Sequence, residues 1–264
     1  MFRTIFFIAL FLQLSFQKDM FGQNVSSPQK TLRIMSYNTH HANPPSKPDF
    51  IDIDAIARVI NEAKADIVAL QEIDKHTKRS GNIDEAKLIA EKTGMHYHFF
   101  KAIDYDGGDY GIAILSRHPL KKVKLLPLPQ QIKTESRVLG YATVKIGRQK
   151  IIFANTHLDA LRTNENRNVQ MQFILKQFEN AGLPVILCGD LNSVAGSEAI
   201  NMLDKQFKRT CIDNCPGTVP QTKPRRTIDF IATQGLNWPL SEYKVIAETY
   251  ASDHRPIMAI FNLE

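Results

Sequence analysis

From Thr31 onward, short apolar segments with strand-like patterns alternate with segments of helical periodicity. Strands are predicted at 32–37, 67–70, 97–101, 110–115, 137–146, 150–156, 185–188, 227–232, 243–247 and 256–261. Apolar spacing predicts helices over 53–63, 82–93 and 164–180, the second capped by Asn82 and stopped by Gly94. Turn signals at Asp106-Gly107 and Gly147 lie between pairs of strands. Hairpins mixed with helical crossovers indicate one α/β domain with mixed sheets.

The N-terminal segment has a different pattern. Arg3 precedes an apolar run, Thr4–Phe16, which is too short to span a bilayer comfortably. We interpret residues 1–23 as a signal peptide, 24–30 as a short N-terminal segment and 31–264 as the folded domain, with an uncleaved membrane anchor as the alternative for the first segment. No other segment is apolar for long enough to cross a membrane. We therefore expect no integral span after signal removal, and a secreted or periplasmic protein.

Composition and cysteine content narrow the class of protein. The 264 residues are 43% hydrophobic and 23% charged, which is typical of a globular protein and not of a disordered or repetitive one. The net charge of +6 suits an anionic substrate but is too small and too scattered to indicate nucleic-acid binding by itself. Three cysteines exclude a disulfide scaffold. In an oxidising compartment Cys211 and Cys215 can form a local bridge, and we expect Cys188 to be a buried free thiol.

Six of the apolar segments adjoin carboxylate, amide or imidazole side chains at one end. These polar groups are Asn38, Gln71-Glu72, residues 155–159, residues 190–192, Asp229 and residues 252–254. Each one alone is more typical of a turn or a helix cap. Polar groups next to buried strands cost free energy unless they have partners, so six of them are most readily satisfied by converging on each other and on a cation.

The order of these motifs resembles that of the endonuclease/exonuclease/phosphatase superfamily. The similarity lies in Tyr37-Asn38, Leu70-Gln71-Glu72, Thr156-His157-Leu158, Gly189-Asp190-Leu191-Asn192, Ile228-Asp229-Phe230 and Ser252-Asp253-His254. It covers about residues 31–263, and the stretches 79–81 and 105–117 resemble compact bacterial hydrolases of this superfamily. The resemblance implies a four-layered α/β sandwich, in which two mixed β-sheets pack face to face and are flanked by helices. It also implies divalent-metal-dependent phosphoester hydrolysis.

A phosphoester is anionic, so its hydrolysis needs a cation, an activated water and stabilisation of the leaving oxygen. Oxygen ligands suit Mg²⁺, which keeps several waters and takes one or two carboxylates. By resemblance we expect Glu72 as the principal metal ligand, with Asn38 beside it and Asp253 as the third. Mg²⁺ is the expected cofactor and Mn²⁺ is the alternative.

The resemblance also assigns catalytic roles to five residues. His254 is the general base or a water-orienting imidazole, and Asp229 fixes its tautomer. Asp190 is a hydrogen-bond acceptor and a possible second base, and Asn192 donates to an oxygen of the phosphate. His157 donates to the phosphoryl group or protonates the leaving group. Which histidine acts as base and which as acid stays open at this stage.

Two further residues are candidates for substrate binding, each with a structural alternative. His40 follows the predicted ligand Asn38 and contacts the phosphate or is a loop histidine. Arg137 suits bidentate phosphate binding or forms an edge ion pair with Glu135.

Three functions from different classes follow. The first is a metal-dependent phosphodiesterase or nuclease, which acts on a phosphoester substrate that includes nucleic acid as one option. The second is a phosphatase or phospholipase C-like hydrolase of phosphorylated lipids or sugars. The third is a non-catalytic binding protein on the same scaffold, which is disfavoured because every catalytic position carries a competent side chain. We expect a monomer.

Overall fold

The computed structural model describes residues 31–263, so the predicted signal peptide (1–23) and the segment 24–30 lie outside the described residues. The elements in chain order are β1 (Thr31–Asn38), α1 (Ile53–Ala63), β2 (Ile67–Lys75), α2 (Glu85–Thr93), β3 (His96–Tyr105), β4 (Gly108–Ser116), β5 (Lys121–Pro127), β6 (Val138–Ile146), β7 (Gln149–His157), α3 (Glu165–Phe178), β8 (Val185–Asp190), α4 (Glu198–Leu203), β9 (Lys208–Arg209), β10 (Asp229–Gln234), β11 (Leu240–Val245) and β12 (Ile257–Asn262). A 3₁₀ turn, His40–Ala42, follows β1.

The strands form two mixed six-stranded sheets. The first has the order β11-β12-β1-β2-β4-β3, and the second has the order β5-β6-β7-β8-β10-β9. β1 and β2 are parallel and are joined through α1, and β7 and β8 are parallel and are joined through α3. The carboxyl ends of parallel neighbours meet at one edge of a sheet. Each sheet therefore presents two such strand ends together.

Three hydrophobic cores separate four layers. Ile34 and Ile114 of the first sheet pack against Phe153 and Ile186 of the second, in a core that also contains Trp238. The outer face of the first sheet is covered by α1 and α2, and that of the second by α3 and α4. The predicted four-layered sandwich of two mixed sheets flanked by helices is confirmed.

The second helix starts later than the sequence predicts. Asn82 has a left-handed backbone (φ +62°), which is not the extended conformation of an N-cap residue, and its amide donates to the carbonyl of Thr77. The cap is Asp84, whose side chain accepts from the amide of Lys87. Gly94 ends the helix in the left-handed conformation, as predicted. The short elements α4 and β9 were not predicted.

β2 differs from its predicted form in a way that matters for function. It does not end at Leu70 but continues to Lys75, with a bulge between Leu70 and Ile73. Glu72 lies in this bulge with φ +57°, and the buried Ile73 then pairs again with β4 at Gly111. A bulge re-aims the side chain that it carries. Glu72 thus projects from within a strand and not from its end.

The cysteines agree with the sequence interpretation. Cys211 and Cys215 form a disulfide with a Cα–Cα distance of 5.8 Å, and Cys188 is a buried free thiol in the core between the sheets. Across residues 31–263, none of the helices has the length and apolar character needed to cross a bilayer.

Candidate active site

Strand register places three of the predicted residues side by side in the second sheet. Asp190, at the end of β8, is paired with His157 of β7 on one side and with Asp229 of β10 on the other. Residues in register on neighbouring strands point to the same face. All three are buried, with 1%, 5% and 1% of their surface exposed, respectively. We call this set the Asp190 row.

Gly189 allows β7 and β8 to approach closely just before the Asp190 row. A Cβ at this position would lie 2.2 Å from the carbonyl oxygen of Thr156, so any larger residue would push the two strands apart. The glycine of the Gly-Asp-Leu-Asn motif therefore has a packing role.

Asn38 links the two sheets at this edge. Its amide nitrogen donates to Glu72 Oε1 at 2.9 Å and to Asp190 Oδ2 at 3.1 Å. Asn38 is 1% exposed, and its amide oxygen accepts from the backbone amide of His40 at 3.1 Å. The predicted metal ligand Glu72 and the Asp190 row therefore belong to one hydrogen-bonded network.

His254 lies between two carboxylates of the row. Its Nδ1 donates to Asp229 Oδ2 at 3.0 Å, and its Nε2 lies 3.7 Å from Asp190 Oδ2. Burial by itself lowers the pKa of His254, but the charges of Asp229 and Asp190 outweigh this effect and raise it. Burial and then the charge of Asp229 also raise the pKa of Asp190. The imidazole is thus held in position by one carboxylate and faces a second.

His157 is in the opposite electrostatic situation. Arg137 Nη1 lies 3.2 Å from its Nδ1, and because a guanidinium can only donate, Nδ1 accepts and Nε2 carries the proton. Nε2 lies 3.6 Å from Asp190 Oδ2. The amide nitrogen of Asn192, which donates to the carbonyl oxygen of Leu158 at 3.0 Å, lies 3.1 Å from Nε2, and because both atoms are donors in this tautomer, that contact is not a hydrogen bond. Burial, followed by the charge of Arg137, holds the pKa of His157 well below its usual range. His157 is therefore a neutral hydrogen-bond donor.

Asn192, His40 and Arg137 are also placed at this network. Asn192 has a left-handed backbone conformation, and its backbone N–H donates to Asp190 Oδ1 at 2.9 Å. His40 touches the network through its backbone, while its ring Nδ1 contacts the carbonyl of Asn43 at 2.8 Å. Arg137 makes both the contact to His157 and the expected ion pair, at 2.8 Å, with Glu135.

Asp253 is the predicted site residue that is connected least directly. The hydroxyl of Ser252 lies 3.4 Å from its Oδ1 and donates to the carbonyl oxygen of Asn38 at 2.7 Å. Within the part of the chain that the structure describes, its carboxylate has no hydrogen bond or ion pair with Glu72 or Asn38. It adjoins the network through Ser252 and His254.

A cavity of about 260 Å³ opens beside Glu72, and we call it the Glu72 cavity. Its wall includes Arg79, Tyr105 and Tyr110, to which the sequence analysis assigned no role. Burial, followed by the charge of Glu72, raises the pKa of Tyr110, which indicates that its hydroxyl lies near that carboxylate. The resemblance had included residues 79–81 and 105–117. No local pattern, however, indicated that these two segments meet.

The donors around Glu72 fit a hard divalent cation. Glu72 is half-buried, borders the cavity and, among the described residues, pairs with no lysine or arginine. The carboxylate of Glu72 is an oxygen ligand of the type that Mg²⁺ takes together with water, whereas the side chain of Asn38 presents its nitrogen to Glu72 and its oxygen to the backbone of His40.

A second donor set consists of Asp190, Asp229 and His254, whose ligand atoms lie within 4.8 Å of one another. These groups already satisfy each other, since His254 donates to Asp229 and faces Asp190. A cation there would have to displace a proton from the imidazole. Glu72 is therefore the more accessible ligand, while the ligand atoms of Asp190, Asp229 and His254 are the ones that already lie together.

The fold and the paired carboxylates and imidazoles define a hydrolase-like α/β sandwich, and comparison with known proteins identifies the family. The endonuclease/exonuclease/phosphatase family model matches residues 35–254. The chain therefore belongs to this family, whose members hydrolyse phosphoester bonds.

Solved structures of low sequence identity share the fold. An endonuclease/exonuclease/phosphatase from Beutenbergia cavernae has a TM-score of 0.76 and 23% identity, over 88% of this chain and 72% of that chain. A mannosyl-6-phosphatase from Bacteroides thetaiotaomicron has a TM-score of 0.73 and 18% identity, over 88% and 100%. The human nocturnin catalytic domain with bound sulfate has a TM-score of 0.71 and 20% identity, over 89% and 95%.

Proposed function

We propose that this chain is a divalent-metal-dependent hydrolase of phosphoester bonds. The observation that carries the proposal is the Asn38 amide, which hydrogen-bonds Glu72 of the first sheet and Asp190 of the second. It brings the carboxylate of Glu72, an oxygen ligand for a cation, and a set of proton-carrying groups to one edge of the sandwich. Hydrolysis of an anionic ester needs both.

The Glu72 donor set would hold the metal, with Asn38 and Asp253 as the further ligands. When bound, a divalent cation would neutralise charge on a phosphoryl oxygen and lower the pKa of a coordinated water. Glu72 fits this role because its carboxylate is accessible from the cavity. Mg²⁺ is our first expectation and Mn²⁺ our second.

The Asp190 row and His254 would handle the protons of the reaction. Asp190, or His254 oriented by Asp229, would accept the proton of the attacking water. His254 can do so only in its neutral form, which its raised pKa makes the minor form near pH 7. His157 presents an N–H on Nε2 and Asn192 an amide, and both can donate to the oxygens on which negative charge develops. This arrangement supports His157 as the donor, and the base remains either His254 or Asp190.

Two classes of phosphoester hydrolase are compatible with this arrangement of residues. A phosphodiesterase or nuclease is the first candidate, from the sequence motifs. A phosphatase is the second, and it is favoured by the small volume of the Glu72 cavity, about 260 Å³. A lipid substrate has less support, because the single tryptophan, Trp238, is buried between the sheets and is not available to a membrane surface.

The cellular location is also a proposal. We propose a secreted or periplasmic protein, as the N-terminal sequence indicated. The Cys211–Cys215 disulfide supports this, because disulfides persist in oxidising compartments and are rare in the cytosol. We also propose that the chain acts as a monomer.

The test is metal reconstitution. The mature protein is treated with a chelator and then assayed with Mg²⁺, Mn²⁺ or Ca²⁺ against a phosphodiester and a phosphomonoester, each with a p-nitrophenyl leaving group. We expect activity to require added metal. We also expect Glu72→Gln to lose at least a hundredfold in kcat/KM, while the exposed control Glu62→Gln loses none.

Full activity without metal, or in Glu72→Gln, would contradict the proposal. If neither ester is hydrolysed and calorimetry detects no binding of Mg²⁺ or Mn²⁺, the non-catalytic binding protein becomes the better interpretation.

A further inference from the structure

The Glu72 cavity is walled by groups that the proposed hydrolysis does not use. Arg79, Tyr105 and Tyr110 form one side of it, and His40, His41 and Glu135 border the remainder. A phosphate held beside Glu72 would leave this space for the group that carries the phosphate. The cavity wall should therefore reflect the chemistry of that group.

A buried hydrogen-bond network fixes Arg79. Its Nε and Nη2 donate to the two oxygens of Asp74, at 2.6 and 2.8 Å. Asp74 is fully buried and also accepts from Ser80 at 2.6 Å, and Ser80 is shared with the buried Glu85 at 2.9 Å. Bidentate pairing of this kind fixes a guanidinium in direction as well as in position. The cavity wall is thus set before any ligand arrives.

The β3–β4 hairpin places the two tyrosines around this arginine. The Arg79 guanidinium lies 4.3 Å from the ring centroid of Tyr105 and 5.5 Å from that of Tyr110. Its backbone amide donates to Asp106, at the hairpin turn, at 2.7 Å. Gly108 permits this approach, because a Cβ there would lie 2.3 Å from the backbone of His76.

The charges at the cavity wall are largely compensated. Arg79 is neutralised by Asp74, and Glu135 forms an ion pair with Arg137. Burial and the nearby charges of Arg79 and His40 lower the pKa of His41 to about 4, so this ring is neutral at pH 7. Among the described residues that line the cavity there is no lysine and no unpaired arginine. A second phosphate group would find no cationic partner here.

The remaining surface suits an uncharged group with many hydroxyls. The wall is mainly polar: imidazole nitrogens, carboxylates and a phenol hydroxyl offer hydrogen bonds, and of the two tyrosines only Tyr105, which is 40% exposed, offers part of its ring to C–H groups. At about 260 Å³ the cavity is smaller than the roughly 300–1,000 Å³ that is typical for drug-sized ligands. A single sugar ring fits these requirements better than a polynucleotide, which repeats a charged phosphate at every residue.

We propose that the Glu72 cavity is a binding site for the sugar ring of a monosaccharide phosphate, which makes the protein a phosphatase of compact, hydroxyl-rich phosphomonoesters. This inference rests on the proposed function and specifies its substrate. In the reaction, water oxygen bonds to phosphorus, the P–O ester bond breaks, and a proton reaches the departing sugar oxygen. The products are the free sugar and inorganic phosphate.

The first test compares three substrates with the same protein and metal: a hexose 6-phosphate, ethyl phosphate and a dinucleotide. We expect kcat/KM for the hexose phosphate to exceed that for either of the others by at least tenfold. Ethyl phosphate has the same type of bond without the sugar. A ratio near one, or a preference for the dinucleotide, overturns the inference and leaves the proposed function intact.

The second test uses matched variants of one strand. Tyr105 and Tyr97 lie on β3 and are 40% and 38% exposed, but Tyr97 is not part of the cavity wall. We expect Tyr105→Ala to lower the hexose-phosphate preference over ethyl phosphate at least fivefold, mainly through KM, and Tyr105→Phe to keep most of it. The control Tyr97→Ala should leave the preference unchanged. Equal effects of the two alanine variants would overturn the inference.

A binding measurement separates failure of the inference from failure of the proposed function. Calorimetry with hexose 6-phosphate and with ethyl phosphate, with and without Mg²⁺, does not require turnover. If no ester is hydrolysed, the proposed function fails, yet at least fivefold tighter binding of the hexose phosphate, lost in Tyr105→Ala, would still support the sugar site. Equal binding of the two esters would overturn it.

Discussion

The two sheets contribute to the same site in different ways. The second sheet provides His157, Asp190 and Asp229 at one level of adjacent strands, where they are buried and hydrogen-bonded within the site. The first sheet provides Asn38 at a strand end and Glu72 in a bulge, beside a cavity. One half of the site is closed and the other is open.

This difference indicates a division of labour. Groups that carry protons depend on fixed neighbours for their pKa, and the closed half supplies such neighbours. A cation with its waters and a substrate need space, and the open half supplies it. The predictions below test each half separately, beginning with the largest expected effect.

Substitutions in the closed half of the site should lower activity most. Asp190→Asn removes a carboxylate that contacts Asn38, His157 and His254. We expect kcat to fall roughly 10³–10⁴-fold with the fold intact, as steady-state kinetics and circular dichroism would show. The exposed Asp104→Asn is the matched control. A loss of less than tenfold would mean that the Asp190 row is structural only.

The network beneath the open half should make stability depend on pH. Burial is the main cause that raises the pKa of Glu85 from 4.5 to about 8. An acid whose pKa is higher in the folded state than in the unfolded state does not lower the stability below pH 4.5, where it is protonated in both states. As the pH rises from 4.5 to 8, the folded state becomes progressively less stable.

Glu85→Gln copies the protonated form and should remove this dependence. The difference in unfolding free energy between wild type and variant should change by on the order of 4 kcal/mol between pH 4 and pH 9. Urea unfolding at the two pH values measures it. A difference that is constant with pH would show that the pKa of Glu85 is the same in the folded and unfolded states.

The side-chain amide of Asn38 joins the two halves of the site. Its substitution tests the metal site without measuring turnover. Asn38→Asp places a third carboxylate against Glu72 and Asp190, and without metal it should reduce the unfolding free energy by roughly 2–3 kcal/mol. Millimolar Mg²⁺ should stabilise this variant more than it stabilises wild type. Thermal unfolding with chelator and with Mg²⁺ compares them, and equal stabilisation would contradict a cation at Glu72.

The smallest effect is expected at the cavity wall. Tyr110→Phe removes a hydroxyl that lies near the charges of Glu72 and Arg137. We expect kcat/KM to fall roughly fivefold, the value of about one neutral hydrogen bond. Tyr97→Phe, on the neighbouring strand, is the control. A Tyr110→Phe enzyme equal to wild type would remove the hydroxyl from the site.

The local sequence pattern was sufficient to predict the residues at which buried strands end. Asn38 and Asp190 each close an apolar run, and the structure ends β1 and β8 at those residues. The patterns of apolar residues also identified ten of the twelve strands described, while the four-layered sandwich came from the family resemblance. These features depend on contacts within a few residues, which a single sequence displays.

Other features depend on residues far apart in the chain. The Glu72 bulge exists because Ile73 pairs again with Gly111, and nothing near residue 72 signals it. The tyrosine wall requires Arg79 to meet Tyr105 across the β3–β4 hairpin. The N-cap of α2 is Asp84 and not the predicted Asn82, because the backbone amide of Asn82 donates to the carbonyl of Thr77. Tertiary contacts override local preference in all three cases.

The Asp190 row makes the chemistry depend on strand alignment and not on loop length. Deleting one residue within β8 would turn the Asp190 side chain to the opposite face, whereas a longer turn after Tyr105 would leave the alignment of β7, β8 and β10 untouched. The β3–β4 turn can therefore change in length or sequence, and with it the substrate that is accepted, without altering the alignment of His157, Asp190 and Asp229.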